Sequence, residues 1–504
     1  MQKPDPSVLG RLLVVGVAAM LVASLSAIAV VRADNRTKAN NQPVAAGNSS
    51  SSPGGSNTAA SSDNTPVAGG SNAAAPTGVG VPSGGATSPS GGATTGAGGT
   101  ATKQQGGAAP AAPAQIMPST GKDCPDYNPN LGVFCDHYLI GGTTVLSGPL
   151  AVYGDQGLKG GLAWITYYNS TIAPRDHLRQ AKLVWYNDDL DPNKCLQYVQ
   201  RLNEVDKVLY LSGITSPEAA SKYIQTAKIP LIGDLGLSPK SYVNPYIFAT
   251  SPSEQLRDPL RIKLGKQRFG IKSFAVIQDV LPSVDTGPLK GAWTKGADQY
   301  GVKQTDYVEI ASTSSDCSGQ FSRVIQSKPE YLILPTASGV LLACLREARK
   351  FSVQPNGPNS PWLKGWTGGS NLQVEVDNCK PLCEGMLSIG TIFADPRTSN
   401  TPEMTAYRNN MAKYAPNVDI TGFIAINYYH GGSVVYNVIK HAGIQWNLNR
   451  DSLIHAAEHF GPFDTGFGNT VTWGSTLPRE PWNCLYPVVV KGDKWIFESE
   501  KTCV

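Results

Sequence analysis

All 41 aromatic residues of this 504-residue chain lie at or after Tyr127. The first 126 residues therefore lack the large flat side chains that fill an interior, and any folded core belongs to the remaining 378. That length suffices for one large or two medium domains. Only 16% of the residues are charged, with 53 Gly and 37 Pro in their place. The formal charge of +4 falls short of the basic bias of nucleic-acid binders and there is no long run of Lys or Arg, so no nucleic-acid partner is expected.

Lys3 and Arg11 precede an uncharged apolar run from Leu12 to Val31, long enough for a helix of about 30 Å. Such a segment directs export. Residues 1–32 are either a signal peptide, with small-residue cleavage sites at Ala27-Ile28-Ala29 and Val31-Arg32-Ala33, or an N-terminal membrane anchor. No Cys follows the run to accept a lipid. From Ala33 to Thr120 the chain is almost entirely Ala, Gly, Ser, Thr, Pro and Asn. This composition predicts a disordered linker with an end-to-end distance on the order of 50 Å, enough to hold a folded domain away from a membrane or through a wall layer. The expected location is extracytoplasmic, secreted or held at the cell membrane.

The nine cysteines all lie beyond that linker, which in an oxidising compartment points to disulfides. Cys124/Cys135 and Cys379/Cys383 suit short loops, Cys484/Cys503 the ends of a terminal hairpin, and Cys317/Cys344 a loop joined to a helix, with Cys195 left over. Spacing alone leaves the connectivity open. Residues 121–136 form a disulfide-bearing lead-in on this reading. Cys379 and Cys383 have no second ligand pair nearby, so no metal is expected.

After His137, β-rich apolar runs alternate with helical amphipathic ones. Strands are predicted at Tyr138–Gly141, Lys182–Tyr186, Val208–Leu211, Pro230–Ile232, Ser273–Gln278 and Tyr331–Pro335. Between them, Leu158, Leu162 and Ile165 share one helical face, as do Leu341, Leu345 and Ala348. This alternation predicts an α/β fold of βαβ units with parallel sheets covered on both faces. Ligands in such sheets bind beyond the carboxyl ends of the strands. The loops there are Gly142–Tyr153, Ser212–Pro217, Gly233–Pro239, Asp279–Gly287 and Thr336–Gly339, whose Ser, Thr, Gly and Asp suit a small polar ligand.

Catalytic signatures are sparse. There is no GxxxxGK[ST] loop, GxSxG elbow or HExxH helix. His455-Ala456-Ala457-Glu458-His459 matches the HxxEH pattern of some zinc peptidases, but Leu453, Ile454, Ala457 and Phe460 form the opposite, apolar face of an ordinary amphipathic helix. Asp188, Asp189 and Asp191 sit at a strand-to-helix turn and are read as caps. No enzymatic activity and no cofactor are expected.

The segment Ser147-Gly148-Pro149-Leu150-Ala151-Val152-Tyr153-Gly154-Asp155-Gln156, with Gly160 following, resembles the first strand-to-helix segment of the leucine/isoleucine/valine-binding proteins, the type I periplasmic solute-binding family of ABC transporters. Tyr186 to Pro192 resembles the family's second strand end, Asp316 to Ser322 its D-F-S turn, and Leu345 to Arg349 its LRQAR helix. Gly422-Phe423 through Tyr428 resembles the helix lining the cleft, and Val471-Thr472-Trp473 the last crossing strand. The resemblance runs through most of the chain after His137, in the family's order.

It implies two doubly wound parallel-sheet lobes joined by a three-strand hinge, with a small-molecule solute held between them. The lobes would be 137–252 with 392–470, and 253–391 with 471–504. A monomer handing its solute to an ABC permease is the implied partner arrangement. An extracytoplasmic sensor signalling to a partner protein is the alternative on the same fold.

The resemblance also places the ligand contacts: Ser147, Tyr153, Thr215, Ser216, Gly236, Leu237 and Phe423 in the first lobe, and Asp279, Asp285 and Ser338 in the second. In the family's amino-acid binders, first-lobe hydroxyls and amides hold the α-carboxylate and a second-lobe acid helps hold the ammonium. Here Leu237 stands at the expected Thr and Val340 at the expected Glu. Each lost charge-assisted bond is worth roughly 1.5–3 kcal/mol. The expected solute is therefore amino-acid-like, small and polar or amphipathic, and not a standard branched-chain amino acid.

Overall fold

The computed structural model describes residues 124–503 apart from Leu237, Ser283, Thr336 and Ile392. The apolar run at Leu12–Val31 and the linker at 33–120 lie outside the described residues. Within the described residues, no helix is long and apolar enough to cross a membrane.

Two α/β lobes make up the fold. The first is built on five parallel strands, β1 (His137–Thr144), β2 (Gln180–Asn187), β3 (Tyr210–Leu211), β4 (Leu231–Asp234) and β5 (Ile247–Ala249), in the order β2-β1-β3-β4-β5. Helices Ala151–Tyr167, Pro192–Glu204 and Pro217–Ala227 connect successive strands. The second lobe carries β6 (Ser273–Val280), β7 (Lys303–Ala311), β8 (Tyr331–Ile333), β9 (Gly365–Thr367) and β10 (Leu387–Thr391), which run parallel.

That second sheet is not purely parallel. After the short antiparallel pair β11 (Phe463–Asp464) and β12 (Thr470–Val471), β13 (Cys484–Lys491) joins antiparallel to β10, followed by β14 (Lys494–Phe497) and β15 (Thr502–Cys503). A tight Gly492 turn, with φ of 64°, returns β14 onto β13 without a crossover helix. The helices Pro402–Tyr414, Phe423–His441 and Arg450–His459 return to the first lobe, where Phe423–His441 packs along Ala151–Tyr167.

The chain thus passes between the lobes three times: after β5, after β10 and after β12. The first and last passages are bonded together. The Trp473 indole N–H donates to the Ala249 carbonyl at 2.8 Å, and the Ser253 N–H donates to Glu480 at 2.9 Å.

The Ala151–Tyr167 helix does not bury the Leu158, Leu162 and Ile165 face. Leu162 is 40% exposed, and the buried positions are Gly154, Gly157, Gly160, Ala163 and Trp164. The small residues let this helix lie directly against Phe423–His441, since a Cβ on Gly160 would come within 2.2 Å of the Ala425 carbonyl oxygen. Close backbone approach outweighs leucine burial here, a choice that apolar periodicity alone does not reveal. Leu341, Leu345 and Ala348 are all buried in the second-lobe core.

Four disulfides, Cys124–Cys135, Cys317–Cys344, Cys379–Cys383 and Cys484–Cys503, are formed, and Cys195 is buried and unpaired. The lead-in is held to the first lobe by Asp126, which pairs with the buried Arg179 and accepts the Leu448 N–H at 2.7 Å. On the Arg450–His459 helix, Leu453, Ala456 and Ala457 are buried. Phe460 lies past the helix end, 44% exposed, rather than on the apolar face. Glu458 is engaged by Arg479.

Candidate functional site

A cleft enclosing about 1110 Å³ of empty space, part of it open to solvent, lies between the carboxyl ends of the two sheets. All five strand-end loops reach it. Val145, Leu150 and Tyr153 come from the loop and helix start after β1, Thr215 from the loop after β3, and Leu235 from the loop after β4. Asp279, Val280, Leu281 and Val284 follow from the end of β6 onward, and Ala337 follows β8. The cleft helix contributes Phe423, Ile424 and Tyr428. The loops are rich in polar residues, but it is mainly their aliphatic side chains that face the cleft.

Local chemistry explains how the loops present them. At the end of β2, Asp189 and Leu190 both adopt left-handed conformations, with φ of 54° and 61°. Such residues cost on the order of 1–3 kcal/mol each unless neighbours hold them. The buried Asp188 carboxylate supplies the hold by accepting the Leu190 N–H at 3.0 Å, which turns Leu190 into the cleft. Asp191 caps the Pro192–Glu204 helix by accepting from Asn193 and Lys194. Across the cleft, Val145, Leu150 and Leu190 of the first lobe pack with Leu281 and Ala337 of the second.

One cluster of polar groups joins the lobes at the cleft. The Tyr153 hydroxyl donates to Ser338 Oγ at 2.6 Å and lies 3.3 Å from Ser370 Oγ, while the Ser338 N–H donates back to the tyrosine oxygen. Ser338 Oγ donates in turn to Glu375 at 2.5 Å, and Glu375 also accepts the Ser370 and Leu372 N–H groups. Complete burial dominates over these bonds and pushes the Glu375 carboxyl up to about 7. Burial, with the Glu375 charge nearby, also raises the Tyr153 phenol well above its ordinary range.

A second polar group stands on the Glu254–Phe269 helix. Glu254, Arg257 and Arg261 line the cleft at helical spacing, with the buried Asp258 beside them. Arg257 lies 3.5 Å from Glu254 and its guanidinium sits 6.0 Å from the Phe423 ring centroid. Burial raises both the Glu254 and Asp258 carboxyls, the latter strongly.

Of the residues singled out in the sequence, Tyr153, Thr215, Asp279 and Phe423 line the cleft, and Ser338 sits at its closing contact. Ser147 is exposed and donates to Asp189 at 2.6 Å, away from the lining. Ser216 is buried at the start of the Pro217–Ala227 helix. Gly236 turns against Tyr242, whose hydroxyl donates to its carbonyl at 3.1 Å. Asp285 accepts the Gly287 N–H at 3.0 Å, a turn contact. None of these four lines the cleft, and Leu237 lies outside the described residues. The Thr215 hydroxyl donates to Asp188, so it is already committed within the first lobe.

Sequence reading missed Glu254, Arg257 and Arg261. Their spacing along one helix is visible in the chain, but charges at helical intervals ordinarily mark a wet face. It also missed Tyr428 as a partition. Behind its ring, a second pocket enclosing about 540 Å³ of empty space, part of it open to solvent, lies in the first lobe, lined by β1, β2, the loop after β3 and the Ala151–Tyr167 helix.

Residues 138–494 match the family model described as "Periplasmic binding protein". The chain belongs to this family. As a periplasmic binding protein of type I, it has the fold of many solved structures. One is a leucine-binding protein from Thermotoga maritima, at 14% identity and a TM-score of 0.58, covering 72% of this chain and 97% of that one. Another is an ABC-transporter solute-binding protein from Rhodopseudomonas palustris in complex with p-hydroxybenzoic acid, at 19% identity and 0.59, covering 73% and 97%. A third is a fatty acid ABC transporter substrate-binding protein from Thermomonospora curvata, at 17% identity and 0.62, covering 74% and 94%. At these identities the likeness is one of fold. No curated protein matches the sequence.

Proposed function

We propose that this periplasmic binding protein captures an amphipathic small molecule between its lobes, outside the cytoplasm, and presents the closed form to an ABC permease in the membrane. The observation that carries this reading is the cleft itself. Aliphatic side chains from both lobes surround it, and its polar groups are gathered at the Tyr153–Ser338 contact and along the Glu254–Phe269 helix. An apolar solute body recovers about 25 cal/mol for each Å² it buries there, while a few polar groups set its orientation. Closure around the solute expels water and creates the surface a permease reads.

The same geometry speaks against a zwitterionic branched-chain amino acid. The Thr215 hydroxyl is committed to Asp188, and Val340, at the family's acidic position, is buried in the second-lobe core. At those two positions an α-carboxylate would find no free hydroxyl donor and an ammonium no acid, and each missing charge-assisted partner adds a desolvation cost. Two of the fold neighbours carry ligand classes in their names, an aromatic acid and a fatty acid, that share an apolar body. On this reading the lobes are 137–252 with 392–470 and 253–391 with 471–504. Tyr153, Thr215, Asp279, Ser338 and Phe423 are contacts, the chain acts as a monomer, and residues 1–120 export and space it.

Thermal unfolding against a panel of amino acids, amides, polyamines, organic acids and aromatic acids tests the proposal. Ligand at 100 times its Kd stabilises by about 2.7 kcal/mol, so one amphipathic class is expected to raise Tm by several degrees. Low-micromolar leucine binding sinks the exclusion of branched-chain amino acids.

A further inference from the structure

Arg257 and Arg261 stand one turn apart on the Glu254–Phe269 helix, each at least nine-tenths buried, and both line the cleft. Their internal bonding is incomplete. Arg257 reaches Glu254 only at 3.5 Å, and Arg261 Nε stands 3.6 Å from Asp258, beyond hydrogen-bond length. Among the described residues, Nε of Arg257 and both Nε and Nη1 of Arg261 have no hydrogen-bond partner. A guanidinium removed from water with unmade N–H bonds is costly, and the group that satisfies two of its donors at once is a planar carboxylate.

The acids nearby do not remove the need for an anion. Burial raises the carboxyls of Glu254 and Asp258 despite the opposing pull of the two arginines, whereas guanidinium stays cationic. Asp279, also on the lining, accepts the Ala337 N–H at 3.3 Å. Leu281, Val284 and Leu289 of the same lobe add aliphatic wall to the cleft that the two arginines line.

Resting on the solute-capture reading above, we propose that Arg257 and Arg261 anchor the carboxylate of the solute, which is an amphipathic organic acid whose apolar body lies against those leucines and valines. The anchor stands on the second lobe, the opposite side of the cleft from the hydroxyl positions that the family resemblance indicated.

Matched ligand sets test this: octanoate, octanamide and octylamine, and benzoate, benzamide and benzylamine, titrated calorimetrically into the full chain and into its Arg257→Gln, Arg261→Gln and Arg261→Lys variants. The expected result is an acid of one set bound at least about 10-fold more tightly than its amide, a charge-assisted preference. Either Gln variant is expected to narrow that acid-to-amide ratio to within about 3-fold of one, and Arg261→Lys to recover part of it. Circular dichroism of each variant confirms that the fold is retained. Acid and amide bound equally, or an amine preferred, overturns the anchor but leaves solute capture standing. No heat with any member of either set overturns both.

Discussion

The Tyr153 hydroxyl, on the first lobe, donates to Ser338 Oγ on the second at 2.6 Å, and the Ser338 N–H donates back to it. This reciprocal pair spans the cleft, and Glu375 sits behind it as the final acceptor. The lobes also meet through aliphatic packing around Val145, Leu150, Leu190, Leu281 and Ala337, and through hydrogen bonds from the Gln373 N–H to Asp419 at 2.8 Å and from the Thr421 hydroxyl to the Asn371 carbonyl at 3.1 Å. Aliphatic packing is indifferent to small slides, whereas hydrogen bonds demand one geometry, so Tyr153 and Ser338 help to fix the closed register.

Tyr153→Phe removes the hydroxyl and strips the Ser338 N–H of its partner, a loss of about 1–3 kcal/mol from the closed form. Small-angle X-ray scattering without solute is expected to show a larger radius of gyration for the variant. Unchanged scattering at equal solute affinity would contradict a closing role.

Glu375 makes the fold sensitive to alkali. Its carboxyl, raised by burial to about 7, binds a proton more tightly in the folded state than in the unfolded chain. The stability it contributes is therefore fully present below the unfolded value of about 4.3 and is lost as pH rises through about 7. Urea unfolding at pH 5 and pH 8 is expected to show Glu375→Gln gaining on the native chain at the higher pH. A constant difference would remove Glu375 as the source.

His430 works with the opposite sign. Burial lowers its imidazole to about 3, and its Nε2 lies 2.8 Å from Thr465 Oγ1. The folded state holds it neutral, so its contribution is present above about 6.5 and falls by about 1.4 kcal/mol per pH unit as pH drops below that, until about 3. The imidazole carbon-bound proton shifts should stay at their neutral values down to pH 4.5 in the folded protein. Titration near 6.5 would show that the ring is reached by water.

Gly160→Ala places a methyl within 2.2 Å of the Ala425 carbonyl oxygen, in a contact where backbone rather than a side-chain tip must move. A loss of about 3 kcal/mol is expected in chemical denaturation. Gly291→Ala is the comparison: it lies on an exposed helical position with nothing within 4 Å of the added carbon, and should gain roughly 0.5–1 kcal/mol.

Tyr428 borders both the cleft and the smaller cavity behind it, with its hydroxyl donating to the Gly213 carbonyl at 3.3 Å. Tyr428→Ala is expected to merge the two spaces and shift preference toward solutes with longer apolar bodies. An affinity series over straight-chain acids of increasing length reads this out, and an unshifted optimum would show that the second cavity stays closed.

Sequence alone determined where a fold was possible and of what kind. The confinement of aromatics to residues after Tyr127 located the core, and the alternation of strand and helix patterns from Tyr138 to Ala348 carried the α/β class, since both are local properties of composition and period. The ordered motifs beginning at Ser147-Gly148-Pro149 carried the family. Tertiary structure decided the rest. It turned the glycine face of the Ala151–Tyr167 helix inward, because two backbones in contact exclude leucine. It joined β13 antiparallel to β10, because a sheet edge pairs with whichever segment returns to it. It also drew Arg257 and Arg261, whose helical spacing ordinarily marks a wet face, into a cleft lined by the other lobe, because burial belongs to what packs opposite a residue and not to the residue itself.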